Sequence, residues 1–305
     1  MQSKTDAVSL TVIFVCRNHS RFVLPALDSV LGQKIDNVEV LIFDVASDDD
    51  SVAKILEWRE AHAPNSLFHR YEDNVGIVRV VKDAVNMATG EYLRLISTDD
   101  FFTEGSLQRQ LDHLGQHGPQ VAACFADALL IDQQGTEIGF RKGINSAGDT
   151  EVLEAHQVRR KLMSGNWIAA PTVMLRKQSV VDAVNQLDET IVFEDYQLWM
   201  RLSERYDFLY LPEIVVAYRQ HPGSFSSNRH LASKSLDGEI RTLRNAIKHT
   251  PSLGFAVLGS AHQILTRSID VRNISLITKT LSLAVEGIWR RALASFFAAG
   301  RGSSR

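Results

Sequence analysis

Two pairs of neighbouring acidic residues are the first candidates for chemistry in this sequence. Asp99 and Asp100 directly follow an apolar run, so their carboxylates are expected where a strand ends. Hard divalent cations such as Mg²⁺ and Mn²⁺ bind carboxylate oxygens together with the phosphate oxygens of a substrate. Because aspartate also caps helices, this pair alone is consistent with a metal site and with a structural role.

The second pair, Glu194 and Asp195, begins a helical pattern that continues to Arg205. A carboxylate at this place is suited to remove the proton of an attacking hydroxyl group, which is the task of a general base. Capping is again the alternative, since negative charge is favourable at a helix N-terminus. Both interpretations stay open for each pair taken alone.

The composition describes a globular protein with ample apolar material. The chain has 305 residues, of which 45% are hydrophobic, and a formal net charge of −3. This near balance of charge gives no electrostatic reason to bind nucleic acid. Cys16 and Cys124 both lie in apolar runs, so we expect two reduced, buried thiols and neither a disulfide framework nor a cysteine-rich zinc site.

A signal peptide, which would indicate the cellular compartment, would lie in the first residues of the sequence. Residues 1–8 contain no apolar segment of the kind found in signal peptides. No uncharged apolar run approaches the roughly 18 residues that a membrane-spanning helix needs. We therefore expect a cytoplasmic protein whose contact with membrane, if made, is peripheral and on the inner face.

Short apolar runs alternate with helical patterns in the first part of the chain. The runs are Leu10–Cys16, Val38–Val45, Glu91–Ile96 and Val121–Ala126, and the helical patterns are Arg21–Leu31, Asp50–His62, Gly76–Ala88 and Ser106–His117. Near-continuous apolar runs suit parallel strands that are covered on both faces. The pattern predicts an α/β fold with a mainly parallel, doubly wound sheet, whose ligands bind beyond the carboxyl ends of the strands.

Further elements are predicted after residue 126. The helix is Leu153–Ser164, the strands are Pro171–Leu175, Phe208–Leu211 and Ile214–Tyr218, and a polar loop covers Arg219–Asn228. We expect a catalytic domain over residues 1–228, with a donor half at 1–126 and an acceptor half at 127–228. Residues 229–305 are expected to form a helical extension.

The end of the chain is basic and contains an amphipathic stripe. From Gly254 to Arg305 there are seven Lys or Arg against two acidic residues. The apolar positions recur at intervals of three and four: Ile274, Ile277, Leu281, Val285, Ile288 and Ala292. Such a stripe fits packing on the domain or on a second copy of the chain, and it also fits contact of residues 254–300 with an anionic membrane.

Several motifs occur in a fixed order between Leu10 and Ser226. They are Leu10–Asn18, Leu27–Gln33, Glu39–Asp44 with Ser47 and Asp49, Asn74–Gly76, Ala88–Leu93, Asp99–Asp100, Glu194–Leu202, and Tyr218–His221 with Ser224. In this order they resemble the inverting nucleotide-sugar glycosyltransferases of family 2, which have the glycosyltransferase-A fold. The resemblance covers about two thirds of the chain.

The resemblance implies roles for particular residues. It implies a nucleotide-sugar site that comprises Val15, Arg17, Asn18, Asp44, Ser47, Asn74, Gly76, Lys82, Ser97, Thr98 and Asp99. It implies a Mn²⁺ or Mg²⁺ ion held by Asp99, Asp100 and His221. It also implies that Asp195 is the catalytic base, with Glu194 as a supporting acid.

Four positions depart from the family pattern, and one of them is Ala84, where Gly is frequent. Val45 stands where the family usually has a second Asp that contacts the nucleotide base. The family resemblance favours a UDP-sugar as donor, but Val45 does not indicate which base the nucleotide carries. Ser97 replaces the first acid of the metal motif, whereas Asp99 matches the usual direct ligand. Lys82 stands where Asn is common, and it either faces a diphosphate or is a solvated helix lysine.

The implied activity is transfer of one sugar, with inversion, to a hydroxyl of a glycan or lipid-linked acceptor, in bacterial surface polysaccharide or glycolipid synthesis. Gln197–Arg201 lacks the Gln-x-x-Arg-Trp pattern of processive enzymes. One alternative is a degenerate binding module, which Val45 and Ser97 favour. Another is a sugar-1-phosphate nucleotidyltransferase, but Arg17–Ser20 lacks the glycines of its phosphate loop.

Overall fold

The computed structural model describes residues 9–33, 35–144, 149–222, 229–270 and 273–302. The strands are β1 (Leu10–Cys16), β2 (Val38–Val45), β3 (Leu67–Tyr71), β4 (Tyr92–Ser97), β5 (Phe101–Phe102), β6 (Val121–Ile131), β7 (Glu137–Arg141), β8 (Glu151–Leu153), β9 (Met174–Arg176) and β10 (Asp207–Arg219). The helices are α1 (Val23–Leu31), α2 (Ser51–His62), α3 (Ile77–Met87), α4 (Ser106–Gly115), α5 (Ala155–Leu162), α6 (Lys177–Asn185), α7 (Asp195–Leu202), α8 (Arg229–His249), α9 (Val257–Asp270) and α10 (Ile274–Gly302). Short 3₁₀ turns cover Ala170–Thr172 and Pro251–Ala256.

One sheet contains all the described strands. Its order is β3-β2-β1-β4-β9-β6-β10-β5, with β7 beside β6 and β8 beside β10. The long ladders, β3-β2-β1-β4 and β6-β10, are parallel, whereas β9 runs antiparallel to both of its neighbours. Apolar clusters line both faces of the sheet. The predicted α/β fold with a mainly parallel, doubly wound sheet is confirmed.

The apolar runs predict the central strands well. β1 and β2 have the predicted bounds, and every residue of β1 is buried. Both cysteines are free and buried, as expected. Because these strands are covered on both faces, their sequences need almost no polar residues.

Three elements differ from the sequence-based prediction. β3 was not predicted, because it lies at the sheet edge and includes the polar residues His69 and Arg70. The predicted strand at Pro171–Leu175 begins as a 3₁₀ turn, and β9 starts only at Met174. The two strands predicted around residues 208–218 are one strand, β10, whose register shifts between Leu211 and Ile214. The shift accommodates Pro212, which lacks the N–H needed for a regular ladder.

The three C-terminal helices pack onto the sheet domain. Buried residues of α8, α9 and α10, such as Ile240, Ile264 and Leu283, belong to the same apolar cluster as Trp199 of α7. The helical extension predicted for residues 229–305 is therefore present over its described part, and it shares a core with the sheet domain. The proposed boundary at residue 228 stays a prediction.

One face of α10 is exposed, while another packs against the 3₁₀ turn at Pro251–Ala256. Ile274, Leu281, Val285 and Trp289 are all more than half exposed. Packing on another surface and peripheral membrane contact both stay open for this stripe. Among the described residues, no helix has the length and apolar character required to cross a bilayer.

Candidate functional site

The loops that follow β1, β2 and β4 meet at one edge of the sheet. These strands pair in parallel, with Cys16 opposite Asp44 and Val15 opposite Ser97, so their carboxyl ends are level. The Thr98 N–H donates to the Val15 carbonyl over 2.9 Å, which extends the pairing beyond β4. The polar residues after each strand are thereby gathered into one site.

The loops after β1 and β2 are joined by reciprocal hydrogen bonds. The Asn18 N–H donates to Ser47 Oγ, and Asn18 Oδ1 accepts from the Asp48 N–H, each over 2.9 Å. Asn18 and Ala46 have φ values of 55° and 53°, a left-handed conformation that asparagine tolerates better than most residues. The Ser47 N–H donates to Asp44 Oδ1 over 3.1 Å, so one carboxylate organises the turn.

The Asp44 carboxylate has one oxygen that accepts no hydrogen bond from the described residues. Its side chain is fully buried, and Arg70 Nε lies 3.6 Å from Oδ1. Oδ2 accepts no hydrogen bond from any described residue. A buried carboxylate oxygen without a donor is costly, which makes Asp44 Oδ2 a candidate to accept a hydrogen bond from a ligand.

A carboxylate and two imidazoles form the one metal-suited group among the described residues. Ligand atoms of His19, Asp99 and His221 all lie within 4.8 Å of one another. His221 Nε2 is 3.1 Å from Asp99 Oδ2, and His19 Nδ1 is 4.0 Å from Asp99 Oδ1. Imidazole nitrogen and carboxylate oxygen together are ligands that Mn²⁺ and similar cations accept.

The pKa values of Asp99 and His19 are shifted in the directions that favour their metal-binding forms. Burial would raise the pKa of Asp99, but the charge of His19 and the hydrogen bonds from Ser97 and His221 outweigh it, and the pKa is lowered. Burial lowers the pKa of His19, although Asp99 opposes this. An ionised carboxylate and a neutral imidazole are the forms that coordinate metals.

Asp100, the second predicted ligand beside Asp99, points elsewhere. Its Oδ1 accepts the Arg219 N–H over 2.8 Å. Burial and the neighbouring charge of Asp99 raise its pKa well above the usual range. The Arg219 guanidinium donates from Nε to the Asp99 carbonyl over 2.9 Å. Asp100 thus fastens the end of β10 to the loop after β4, whereas His19 lies beside Asp99 and His221. The metal-binding role expected for Asp100 stays a prediction.

The acidic pair at the start of α7 lies in a restricted environment. Asp195 Oδ2 accepts a hydrogen bond of 2.8 Å from Asn166 Nδ2, and Oδ1 accepts one of 2.6 Å from the Tyr196 N–H. Burial, followed by the charge of Asp195, raises the pKa of Glu194 to about 8. Burial also raises the pKa of Asp195, against the hydrogen bonds from Tyr196 and Asn166 and the charge of Arg141.

These opposing effects distinguish the two acids. Burial and the neighbouring charge of Asp195 both raise the pKa of Glu194, which favours the protonated form of its carboxyl group. The hydrogen-bond donors are aimed at Asp195, so the negative charge of the pair is favoured there. Asp195 therefore has the properties of a base and Glu194 those of a neutral neighbour.

The remaining predicted donor-site residues lie around this edge with different surroundings. Asn74 Oδ1 accepts the N–H of Gly76 over 3.2 Å, in a turn where Gly76 has a φ of 79°. Arg17 is exposed, and Val45 is buried in the core. Lys82 Nζ donates to Glu189 over 2.8 Å, which ties α3 to the loop before α7. Ser224 lies outside the described residues.

Sequence reasoning missed three residues of this site. The sequence predicts no role for His19, Asn166 or Arg219. Their partners lie 29 to 120 positions away in the sequence. The one local signal was the position of His19 at the carboxyl end of a predicted strand.

Comparisons with known proteins agree with this geometry. A model of the family described as Glycosyl transferase family 2 matches residues 11–181, more than half of the chain. An uncharacterised protein of Mycobacterium tuberculosis is 27% identical over 216 residues, which are 70% of this chain and 59% of that relative. The chain thus matches less than two thirds of that relative's length.

Two solved structures share the fold. S. aureus TarS 1–349 in complex with UDP-GlcNAc superimposes with a TM-score of 0.69 at 15% identity, over 92% of this chain and 81% of that one. The mannosyltransferase PcManGT from Pyrobaculum calidifontis, in complex with GDP-Man and Mn²⁺, superimposes with a TM-score of 0.56 at 14% identity, over 94% and 88%. The predicted glycosyltransferase-A fold is thereby confirmed.

Proposed function

Because this chain belongs to glycosyl transferase family 2, we propose that it transfers one sugar from a nucleoside diphosphate to an acceptor hydroxyl, with inversion at the anomeric carbon. The observation that carries the proposal is the position of Asp99. It lies between His19 and His221 at the sheet edge where the loops after β1 and β2 also meet. A donor diphosphate at that edge has its charge facing a cation site.

The nucleotide is proposed to bind over the loops after β1 and β2. Asn18, Asp44 and Ser47 hold this surface together, and Asp44 Oδ2 offers an acceptor to a nucleotide donor group. Structural neighbours bind UDP-GlcNAc and GDP-Man, so the fold accommodates more than one base. We favour a UDP-sugar, while Val45 supplies no polar group that would select uracil.

A divalent cation, Mn²⁺ or Mg²⁺, fits the residues present. Asp99 and the two histidines would hold it, and Asp99 Oδ1 accepts no hydrogen bond from the described residues. Bound there, the cation would neutralise the charge that develops on the leaving diphosphate. The neighbour with GDP-Man contains Mn²⁺, which supports the same chemistry here.

Asp195 is proposed to act on the acceptor. Its carboxylate takes the proton of the acceptor hydroxyl as that oxygen bonds to the anomeric carbon, while the bond from that carbon to the diphosphate oxygen breaks. Attack opposite the leaving group inverts the anomeric centre. Glu194, whose raised pKa favours its protonated form, avoids a second negative charge beside the base.

The acceptor is proposed to be a glycan or a lipid-linked glycan of the kind assembled for the bacterial cell surface, reached from the cytoplasmic side. The exposed apolar face of α10 supports binding of the protein to another surface through this helix. A row of exposed large apolar side chains is unusual on a surface that has no partner. Both a membrane and a second copy of the chain fit this face.

The first test is calorimetric binding of UDP, GDP, dTDP and CDP, each with and without Mn²⁺. We expect one nucleotide to bind in a metal-dependent manner, and Asp99→Asn to remove the metal dependence. Asp112→Asn is the matched control, since Asp112 is an exposed residue of α4 whose carboxylate accepts a hydrogen bond from Gln108 on the same helix. Absence of binding for all four nucleotides would favour the degenerate binding module.

The second test separates binding from turnover. Asp195→Asn keeps the shape of the side chain but removes the base, so we expect donor affinity to persist. Release of the nucleoside diphosphate should fall by about 10²- to 10⁴-fold, the usual contribution of a general base. Normal turnover in this variant would remove Asp195 from the base role.

A further inference from the structure

Asn166, to which the sequence assigned no function, lies in a turn with a fixed backbone. The Gly165 N–H donates to the Leu162 carbonyl over 3.0 Å at the end of α5. Gly165 has a φ of 136°, in the region that side chains other than glycine rarely adopt. This conformation directs the residue that follows it, Asn166, toward α7.

The turn is held from two other helices. From α9, Ser260 Oγ donates to the Met163 carbonyl over 3.0 Å, and Ser260 is buried. From α7, the Tyr196 hydroxyl donates to the Leu162 carbonyl over 2.6 Å. The C-terminal extension therefore takes part in fixing the turn that carries Asn166.

The residue on the other side of Asn166 is fixed as well. The Trp167 ring packs edge-on against Phe125 with centroids 5.2 Å apart. The Trp167 carbonyl accepts from Arg141 Nη2 over 3.3 Å. With both neighbours held, the 2.8 Å hydrogen bond from Asn166 Nδ2 to Asp195 Oδ2 is made without ordering a mobile segment.

The charged groups around Asp195 come from four elements. Glu194 precedes it, and Arg141 approaches from the end of β7. Glu239 of α8 faces Asp195 and Tyr196, and its charge is paired with Arg267 of α9, whose Nη1 lies 2.9 Å from both carboxylate oxygens. Asn166 is the neutral donor in this set, and its hydrogen bond is made to the carboxylate itself.

We propose that Asn166 is a positioning residue for the transfer reaction, which keeps Asp195 ionised and oriented toward the acceptor hydroxyl. This inference rests on the proposed function of Asp195. A hydrogen bond to the charged form of a carboxylate favours that form, and it also selects one orientation of the carboxylate. The turn of Gly165, anchored on α9, is what makes the donor available.

The test compares Asn166→Asp and Asn166→Ala with the natural protein. Asn166→Asp is isosteric, but it replaces the N–H donor with a carboxylate that adds a like charge beside Asp195. Asn166→Ala removes the donor without adding a charge. We expect the acid limb of the kcat–pH profile to move upward by about one pH unit, with a roughly tenfold loss of kcat below the new midpoint and recovery at higher pH. The KM for the donor should stay unchanged.

The matched control is Asn185→Ala. Asn185 is an exposed residue at the end of α6 whose amide pairs with Asn86, away from the acidic pair. Its profile should coincide with that of the natural protein. If Asn166 had only a structural role, its variants would lose kcat equally at every pH and the midpoint would not move, and that result would overturn the proposal.

A second measurement does not depend on turnover. The carboxyl carbon of Asp195, assigned by its absence in Asp195→Asn, can be titrated by NMR in the natural protein and in Asn166→Ala. An upward shift in the variant is expected, and an unchanged titration would refute the inference. If Asp195→Asn is fully active while the titration shifts, the proposed role of Asp195 fails and the contact with Asn166 stands.

Discussion

The contact between Gly287 of α10 and Gly254 of the 3₁₀ turn leads to a test of how the helical extension is docked. A Cβ added to Gly287 would lie 2.5 Å from the Gly254 carbonyl oxygen and 2.6 Å from Val257 Cγ1. Ordinary contacts of a Cβ begin near 3.4 Å. The main obstacle is backbone, which cannot rotate away, so Gly287→Ala requires α10 to move outward.

Two opposing free energies decide the sign of this change. Alanine is more favourable than glycine in a helix interior by up to about 1 kcal/mol. Overpacking of a close contact costs about 1–3 kcal/mol, and a backbone obstacle belongs at the upper end. We therefore expect Gly287→Ala to lower the free energy of unfolding by about 2 kcal/mol, which for a chain of this length corresponds to a fall in Tm of roughly 3 °C.

Gly259→Ala is the matched control, because it makes the same substitution in the neighbouring helix α9. There the nearest atoms to an added Cβ are those of Ser164 at 3.7 Å, an ordinary van der Waals distance. The helical preference is then unopposed, and the variant should be more stable by up to about 1 kcal/mol. Urea unfolding followed by circular dichroism measures both. A Gly287→Ala variant as stable as the Gly259→Ala variant would refute the close approach of α10.

Two further substitutions test the loops of the site. Asp49 accepts hydrogen bonds from the N–H groups of Ser20 and Ser51, each over 2.9 Å. Burial would raise the pKa of Asp49, but the hydrogen bonds from these two residues outweigh it and lower the pKa to about 2. The stability it contributes is therefore present above its unfolded pKa of about 4 and is lost as the pH falls toward 2, so Asp49→Asn should destabilise more at pH 7 than at pH 3 in urea unfolding. An equal effect at both pH values would contradict this. Arg219→Ala removes the donors to the Asp99 and Asp132 carbonyls, each at 2.9 Å, and should lower the free energy of unfolding by about 2–3 kcal/mol. Arg219→Lys should restore little, since an ammonium group lacks the planar fork, and full restoration would argue that charge alone matters.

The part of the fold that could be predicted from sequence is the part with a strong local pattern. β1 and β2 are buried on both faces, so their apolar runs identify them and their ends. β3 has one neighbour in the sheet and carries polar side chains, so no run identifies it. β10 was divided in two because Pro212 and Glu213 interrupt its pattern, whereas the parallel pairing with β6 continues across the bulge.

The candidate site divides in the same way. Asp99, Asp44 and Asn18 could be expected because each follows a predictable strand. The pairing of His19 and His221 with Asp99 depends on how β10 returns to the sheet beside β5, which no local pattern specifies. The contact of Asn166 with Asp195 depends on a glycine turn fixed by a helix nearly a hundred residues later in the chain. The roles that the resemblance implied for individual residues stay predictions.

His19, Asp99 and His221, the proposed cation ligands, are added to the chain at different times during synthesis on the ribosome. Asp99 and His221 are separated by 122 positions. At roughly 5–20 residues per second, about 6 to 24 seconds pass between their additions to the chain. During that interval the nucleotide-facing strands β1, β2 and β4 are already complete, but Asp100 has no Arg219 to bind and Asp99 has only one of its two histidines. The residues proposed to bind the nucleotide are thus synthesised well before His221, which completes the proposed cation site.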